Sequence, residues 1–143
     1  MPAVVVAGDG PDRAALQRQI DASGAPVRLL GARSDVSDLL LGADVVALPS
    51  AWEARSLVAQ EALRAGVPLV TTPVGGLPEL VGDGAVLVPV GDPDGLRTAI
   101  ESIVGDTARA ADLRARGRAQ AGTWPTVDAA VAELAGLYRE LAG

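Results

Sequence analysis

Short apolar runs and helical patterns alternate along the whole chain. Aliphatic runs at residues 3–7, 27–30, 44–48, 68–71 and 85–88 each stop at glycine, proline or a polar residue, which is typical of buried strands. Between these runs, apolar residues recur three and four positions apart, which indicates amphipathic helices. This regular alternation predicts an α/β fold, with a parallel sheet of about five strands and helices on both faces.

The most informative stretch follows the third predicted strand, at residues 49–66. Its apolar residues recur at helical spacing, and Gly66 stands where a left-handed C-cap belongs. Ser50 and Glu53 have the spacing of a capping box, whereas Ser56 could cap a shorter helix that begins just after it. We favour the later start, because the dense apolar pattern begins only there.

Two carboxylates bracket the start of this helix. Glu53 lies in the loop before it, and Glu61 lies about 7–8 Å along the axis from the first turn. A helix N-terminus favours an anion, because its first N–H groups have no partner within the helix. A nucleoside diphosphate sugar would fit, with its phosphates at the N–H groups and its diols at the carboxylates. The alternative is that Glu53 only caps the helix and that Glu61 is an ordinary solvated residue on it. Spacing alone favours this alternative, because short motifs often match by chance.

Composition removes several classes of function. The net charge is −6 and the sequence has no basic run, which argues against nucleic acid as the main partner. The sequence has no histidine and no cysteine, so it offers no Ser-His-Asp or Cys-His catalysis and no zinc site of the usual ligands. All twelve basic residues are arginine, which excludes the lysine-containing P-loop motif.

The sequence predicts neither export nor membrane insertion. Met1 is followed by an apolar run without the charged segment of a signal peptide. No apolar stretch approaches the roughly 20 residues that a membrane span needs. We therefore expect a cytoplasmic protein, with residues 1–143 forming one domain that is long enough to bury a core.

The expected architecture brings four loops to one rim of the sheet. Ligands of parallel α/β sheets bind at the carboxyl ends of the strands. The loops at these ends are residues 8–10, 31–34, 49–56 and 72–79. The first loop has the start of a dinucleotide fingerprint, but Arg13 occupies the position that requires glycine or alanine. We therefore reject an NAD site there.

The order of the motifs is similar to that of a known family. Strand-and-turn segments come first, then an E-x7-E signature at Glu53 and Glu61, then a Gly-Gly-Leu-Pro-Glu-Leu segment and a Val-Pro-Val-Gly-Asp-Pro segment. The chain resembles the C-terminal, donor-binding domain of the retaining GT-B glycosyltransferases of the group 1, family 4 type. The resemblance covers nearly the whole chain and implies a Rossmann-like fold, the C-terminal half of a GT-B enzyme.

The resemblance also implies a role for each candidate residue. It implies that Glu61 binds the ribose hydroxyls, and that Glu53, the catalytic candidate, approaches the donor sugar at its anomeric centre. It implies that Arg33 or its neighbours frame the nucleobase. The diphosphate would meet the backbone N–H groups of four consecutive residues, Arg55, Ser56, Leu57 and Val58. No essential metal or other cofactor is implied, and the nucleoside diphosphate sugar is the donor substrate.

Two departures from the family pattern change the expectation. The family commonly has Glu-Gly-Phe-Gly-Leu where residues 53–57 read Glu-Ala-Arg-Ser-Leu, so Ala54 and Ser56 add Cβ atoms where backbone and ligand would approach closely. Arg55 could compensate as a direct phosphate ligand. In addition, we find no counterpart of the family's acceptor domain or of the first strand and helix of its donor domain, which carry an arginine and a lysine for the diphosphate.

Three hypotheses stay open. The first is the donor-binding part of a glycosyltransferase, as a fragment, a truncated product or one chain of a split enzyme, which would not turn over alone. The second is a degenerate, non-catalytic domain that binds a nucleotide sugar or works through protein contacts. The third is a related GT-B epimerase, against which the lack of histidine argues. Because a strand without its neighbour leaves an open sheet edge, we also expect self-association or an acceptor-domain partner chain.

Overall fold

The computed structural model describes residues 3–142, and the chain divides into two compact units. Unit 1 comprises residues 1–39 and unit 2 comprises residues 40–143. Each unit combines parallel strands with helices, as the alternating pattern predicts. Whether the whole chain acts as one domain stays a prediction, and each unit is described by itself below.

Unit 1 contains a two-stranded parallel sheet and one complete helix. Strand β1 (Val4–Ala7) and strand β2 (Val27–Gly31) pair in parallel and flank helix α1 (Arg13–Ser23). Gly24 ends α1 in a left-handed conformation, with φ of 64°. The short helix α2 (Val36–Leu41) begins at the end of unit 1 and continues into unit 2.

The apolar residues of unit 1 are not buried, which corrects the sequence-based expectation. We expected β1 to be a buried strand, yet Val4, Val5 and Val6 are 44%, 49% and 39% exposed. The predicted apolar stripe of α1 is also exposed, with Leu16 at 42%, and α1 contains no buried residue. The apolar pattern therefore predicted the elements of unit 1 correctly but their burial incorrectly. A two-stranded sheet and one helix have too little surface to cover each other's apolar side chains.

Unit 2 contains a three-stranded parallel sheet and five complete helices. The strand order is β3-β4-β5, so β4 is central. In chain order, the elements are β3 (Val46–Leu48), α3 (Leu57–Ala65), β4 (Leu69–Thr71), α4 (Leu77–Val81), β5 (Val86–Leu87), α5 (Pro93–Val104), α6 (Thr107–Gly122) and α7 (Val127–Ala142).

The central strand β4 separates two apolar clusters in unit 2. Leu69 packs with residues of α3 and α4, whereas its neighbour Val70 packs with residues of α5 and α6. Successive side chains of a strand point to opposite faces, so the two clusters lie on opposite faces of the sheet. Helices therefore cover both faces in unit 2, as predicted. Every residue of β4 is buried, including the polar residue Thr71.

The burial of the last two helices differs from the character of their sequences. Helix α6 is rich in polar residues, yet it buries Ala110, Leu113 and Gly117. Helix α7 has apolar residues at helical spacing, yet it has no buried residue in the part of it that is described. Its apolar side chains are at least half exposed, namely Val127, Val131, Leu134, Leu137, Tyr138 and Leu141.

Within residues 3–142, the structure contains the five strands that the sequence predicts, and the pairings between these strands are parallel. They form one sheet of two strands and one of three, rather than a single sheet of five. None of the helices in residues 3–142 is long and apolar enough to cross a bilayer. The cytoplasmic location stays a prediction.

Candidate functional site

Helix α3 begins at the residue favoured by the sequence. Ser56 is its N-cap, with an extended backbone, and the Ser56 hydroxyl accepts the N–H of Ala59 at 3.3 Å. Gly66 ends the helix in a left-handed conformation, with φ of 70°. Ser56 is 5% exposed, so its side chain is used by the helix cap. The serine that replaces a family glycine therefore serves the start of α3.

The start of α3 presents unpaired backbone donors. Within residues 3–142, the N–H groups of residues 55–58 have no hydrogen-bond acceptor, whereas those of Ala59 and Gln60 are bound by Ser56. Unpaired N–H groups and the helix dipole together favour an anion at this position. The side chains of Leu57 and Val58 are exposed, so these backbone groups lie beside open surface.

Glu53 lies in the loop before α3 and is held by a neighbouring hydroxyl. The Ser50 hydroxyl donates to Glu53 Oε1 at 2.9 Å. The Glu53 side chain is half-buried, and its Oε2 has no partner among the described residues. Ser50 and Glu53, which have capping-box spacing, thus bind each other instead of capping a helix.

The loop that follows β4 holds the loop that carries Glu53. The Thr72 hydroxyl donates to the carbonyl of Ser50 at 2.5 Å, and the N–H of Gly76 donates to the carbonyl of Ala54 at 3.2 Å. One residue earlier, the Thr71 hydroxyl donates to the carbonyl of Leu48 at 2.9 Å. The prediction that rim loops meet is therefore confirmed for residues 49–56 and 72–76.

Two glycines make this close approach possible. A Cβ at Gly75 would overlap the carbonyl oxygen of Glu53, and a Cβ at Gly76 would lie 2.6 Å from the carbonyl oxygen of Ala54. Gly75 also has φ of 53°, a left-handed conformation that side-chain-bearing residues avoid. Sequence reasoning noted the Gly-Gly pair as part of a rim loop and of a family segment, and it did not assign Ser50, Thr72 or either glycine a role in the site. Hydroxyl residues at the ends of β3 and β4, followed by paired glycines, are the signal that could have identified them.

Glu61 and Arg55 lie on either side of the start of α3. Glu61 is exposed on α3 at the position that helical spacing predicts. Arg55 is exposed and lines a cavity of about 360 Å³, together with Glu79 and Trp124. The ring of Trp124 in turn lies 5.3 Å from the Arg64 guanidinium carbon, a cation–π contact.

A second, smaller cavity of about 200 Å³ lies at the other end of the same loop. Pro49 and Thr72 line it, together with Leu96 of α5. The loop at residues 49–56 therefore runs between two surface cavities, with Glu53 between its ends.

Arg33, the remaining predicted site residue, belongs to unit 1. Its guanidinium binds Asp35 through two hydrogen bonds, Nε to Oδ1 at 2.7 Å and Nη2 to Oδ2 at 2.5 Å. These bonds lower the pKa of Asp35 below its ordinary value and raise the pKa of Arg33. The structure thus brings together the predicted residues at positions 53–61 within unit 2, and it describes Arg33 in a separate unit.

The side chains of the site suit an uncharged or anionic ligand with hydroxyl groups. Two carboxylates can accept hydroxyl hydrogens, and the free N–H groups and Arg55 can donate to an anion. In residues 3–142 no group of three or more histidine, cysteine, aspartate or glutamate side chains is arranged to hold a metal ion.

The fold and the sequence define the class to which this chain belongs. Residues 2–106 match the family described as Glycosyl transferases group 1. The fold is that of the GT-B glycosyltransferases. The chain therefore belongs to the group 1 glycosyl transferases.

Individual relatives agree with this assignment. Glycogen synthase of Mycobacterium tuberculosis is 44% identical over 102 residues, covering 67% of this chain and 24% of that protein. Alpha-D-kanosaminyltransferase of Streptomyces kanamyceticus is 32% identical, covering 96% of this chain and 37% of that protein. Anabaena Alr3699/HepE in complex with UDP superimposes with a TM-score of 0.87 at 28% identity, covering 96% of this chain and 41% of that one. The chain thus spans about a quarter to two fifths of the length of these relatives.

Proposed function

We propose that this chain is the donor-binding part of a retaining glycosyltransferase, which transfers a sugar from a nucleoside diphosphate sugar to an acceptor. The observation that carries the proposal is the start of α3, where unpaired N–H groups lie between the carboxylates of Glu53 and Glu61. Two structures of Anabaena Alr3699/HepE support the proposal, one in complex with UDP and one with UDP-glucose. The sequence of that protein is 28–31% identical to this chain over the matched residues.

Each part of the site has one role in this proposal. The N–H groups of residues 55–58 receive the diphosphate, and Arg55 adds a charge-assisted hydrogen bond to it. Glu61 accepts hydrogen bonds from the ribose hydroxyls, and Glu53 accepts one from the sugar and faces the anomeric centre, where positive charge develops. The role of Arg33 or its neighbours at the nucleobase stays a prediction. The proposed reaction uses no metal ion or other cofactor.

The proposed transfer needs a second protein surface. The bond between the anomeric carbon and the diphosphate oxygen breaks, the oxygen of an acceptor hydroxyl bonds to the anomeric carbon on the same face, and the hydroxyl proton passes to the departing diphosphate. The helix terminus stabilises the departing diphosphate. Since donor and acceptor must be held together in a closed cleft, we propose that turnover requires an acceptor domain, supplied in the same polypeptide or by a partner chain.

Ligand binding tests the donor-site proposal directly. We expect UDP, GDP or ADP, or one of their sugar esters, to bind in calorimetry and to raise the melting temperature, because a ligand present at 100 times its Kd adds about 2.7 kcal/mol to the free energy of unfolding. If none of these compounds shifts the melting temperature at millimolar concentration, the donor-site proposal is wrong for this chain.

Glu61→Gln tests the ribose contact. We expect it to weaken binding of the nucleoside diphosphate about tenfold, since a hydrogen bond to a charged group is lost. Glu133→Gln is the matched control, because Glu133 is an exposed glutamate on α7. If both variants bind the nucleoside diphosphate with equal affinity, Glu61 does not contact the ligand.

Arg55→Ala tests the phosphate contact. We expect calorimetry to show weaker binding of the diphosphate, because a guanidinium next to the start of α3 is removed. Arg109→Ala, an exposed arginine on α6, is the control. Binding that is unchanged in Arg55→Ala would contradict this role.

A second candidate function is a non-catalytic domain that binds a nucleotide sugar or works through protein contacts. The exposed valines of β1 and the exposed apolar residues of α7 favour it, because large apolar patches on soluble proteins are commonly interaction surfaces. Under either function we propose self-association or an acceptor-domain partner. A clean monomer in sedimentation at about 10–50 μM would argue against self-association. Sugar transfer on adding a separately produced acceptor domain would favour the first function over the second.

A further inference from the structure

We propose that Ser50, Thr72 and the Gly75–Gly76 turn are positioning residues, which fix the loop at residues 49–56 so that Glu53 Oε2 is the oxygen presented to the donor sugar. The inference rests on the proposed function and assigns separate roles to two parts of the site. The start of α3 would bind the diphosphate, and the hydroxyl-held loop would set the additional affinity that the sugar contributes.

The first step is the orientation of the carboxylate. Because the Ser50 hydroxyl donates to Glu53 Oε1 at 2.9 Å, one of the two oxygens is engaged within the protein. Oε2 has no partner among residues 3–142, so it is the oxygen that can accept a hydrogen bond from a ligand. Without Ser50, the carboxylate would lose its only described restraint and sample several rotamers.

The second step is the anchoring of Ser50 itself. Thr72 is 1% exposed, and its hydroxyl donates to the Ser50 carbonyl at 2.5 Å. Thr72 thus fixes the backbone from which the Ser50 side chain extends. A hydrogen bond from a fully buried hydroxyl is costly to remove, because the carbonyl would then lack a partner.

The third step is the anchoring of the far side of the loop. The N–H of Gly76 donates to the carbonyl of Ala54, immediately after Glu53, and the two glycines allow this approach because any Cβ there would meet backbone oxygens. Glu53 is therefore held on both sides by residues 72–76. The side chain of Trp52, next to Glu53, is 78% exposed and adds little to this restraint.

Precise placement matters for a group that acts on a sugar. A displacement of about 1 Å at a reacting group can lower a rate by about a hundredfold, and side chains of functional sites are commonly fixed by neighbouring hydrogen bonds. A positioning role therefore predicts an effect on the sugar moiety alone. A merely structural role predicts equal losses for the diphosphate and for its sugar ester.

Calorimetry with two ligands separates these roles. The probes are UDP and UDP-glucose, and the measured quantity is the ratio of their Kd values. For Ser50→Ala we expect about a tenfold loss of affinity for UDP-glucose relative to UDP, with UDP affinity unchanged. Ser50→Thr keeps the hydroxyl and should retain the ratio. Ser102→Ala is the control, because the Ser102 hydroxyl donates to a backbone carbonyl within α5 and does not contact Glu53.

Thr72 offers an independent set of variants. Thr72→Val removes the hydroxyl with little change of shape, and we expect it to lower the UDP-glucose affinity relative to UDP, whereas Thr72→Ser should retain it. Thr98→Val is the control, since the Thr98 hydroxyl donates to a carbonyl within α5. Equal losses for both ligands in Ser50→Ala and Thr72→Val would overturn the positioning role.

Amide hydrogen exchange tests the proposal without any ligand. In Thr72→Val we expect the Gly76 amide, which is bound to Ala54, to exchange about tenfold faster than in the unmodified chain. The Val67 amide, which is bound to Ala62 at the end of α3, should exchange at an unchanged rate. Unchanged exchange at Gly76 would overturn the proposal. If the unmodified chain binds neither UDP nor UDP-glucose, the proposed function fails, and the exchange experiment still decides whether residues 72–76 hold the loop.

Discussion

Units 1 and 2 use the same alternation of strand and helix, and they differ in what that alternation buries. In unit 2, β4 is completely buried and α3 covers it with four buried residues. In unit 1, all of β1 is exposed and α1 has no buried residue. Both units contain paired parallel strands and regular helices, so regular structure alone does not measure stability. The free energy of folding should come mainly from unit 2, because apolar burial is the dominant favourable term.

The largest expected contrast is between two leucines on helices. Leu63 on α3 is fully buried, and Leu63→Ala should lower the free energy of unfolding by about 2–5 kcal/mol, since it leaves a cavity. Leu16 on α1 is 42% exposed, and Leu16→Ala should cost about 1 kcal/mol or less. Urea unfolding of both variants checks this. Similar costs would mean that α1 is covered in solution by a surface that unit 1 itself does not provide.

A second contrast compares two glycines that share a left-handed conformation. Gly24 ends α1 with open space around it, so Gly24→Ala should cost about 1–2 kcal/mol, the ordinary cost of that conformation. Gly75 faces the Glu53 carbonyl, so Gly75→Ala should cost about 1–3 kcal/mol more. Thermal unfolding of the two variants measures the difference. Equal costs would show that the contact between residues 49–56 and 72–76 is not close in solution.

A third, smaller contrast compares two helix starts. The Ser56 hydroxyl caps α3, so Ser56→Ala should destabilise the chain by about 1 kcal/mol. Asp12 is the N-cap residue of α1, but its side chain accepts no capping hydrogen bond. Asp12→Ala should therefore change stability by less than about 0.5 kcal/mol. The urea midpoints of the two variants measure these effects. A larger effect for Asp12→Ala than for Ser56→Ala would contradict the assignment of the two caps.

The smallest expected effect concerns the ion pair in unit 1. Hydrogen bonds from Arg33 lower the pKa of Asp35, so the pair stabilises the folded state above the unfolded pKa of about 3.9 and loses this effect as pH falls through the lower folded value. Both side chains are more than a third exposed, so the contribution is small. We expect unmodified protein to exceed Asp35→Asn in stability at pH 7, and we expect this difference to shrink as the pH falls below about 3.9. A difference that does not shrink would have another origin.

The sequence predicted the elements well, because they depend on local spacing. The five strands and the start of α3 after Ser56 are confirmed. Burial was predicted less well. The apolar residues of β1 resemble those of β4 in the sequence, and only tertiary packing distinguishes an exposed strand from a buried one.

The candidate site was predicted in part for the same reason. The spacing of Glu53 and Glu61 follows from one loop and one helix, so the sequence could indicate both. The restraint on Glu53 comes from Thr72 and Gly76, which lie about twenty residues further along the chain. Contacts of that kind depend on how β3 and β4 pair, and the spacing of residues along one segment does not show them.

The two apolar clusters of unit 2 share a single strand of three residues, because Leu69 belongs to one cluster and its neighbour Val70 to the other. A slip of β4 by one residue against β3 or β5 would send each side chain to the opposite face and disrupt both clusters at once. Neither cluster can therefore melt while the other persists. The two sides of unit 2 should unfold together as one cooperative element, and the loop that carries Glu53 should lose its anchors in the same step.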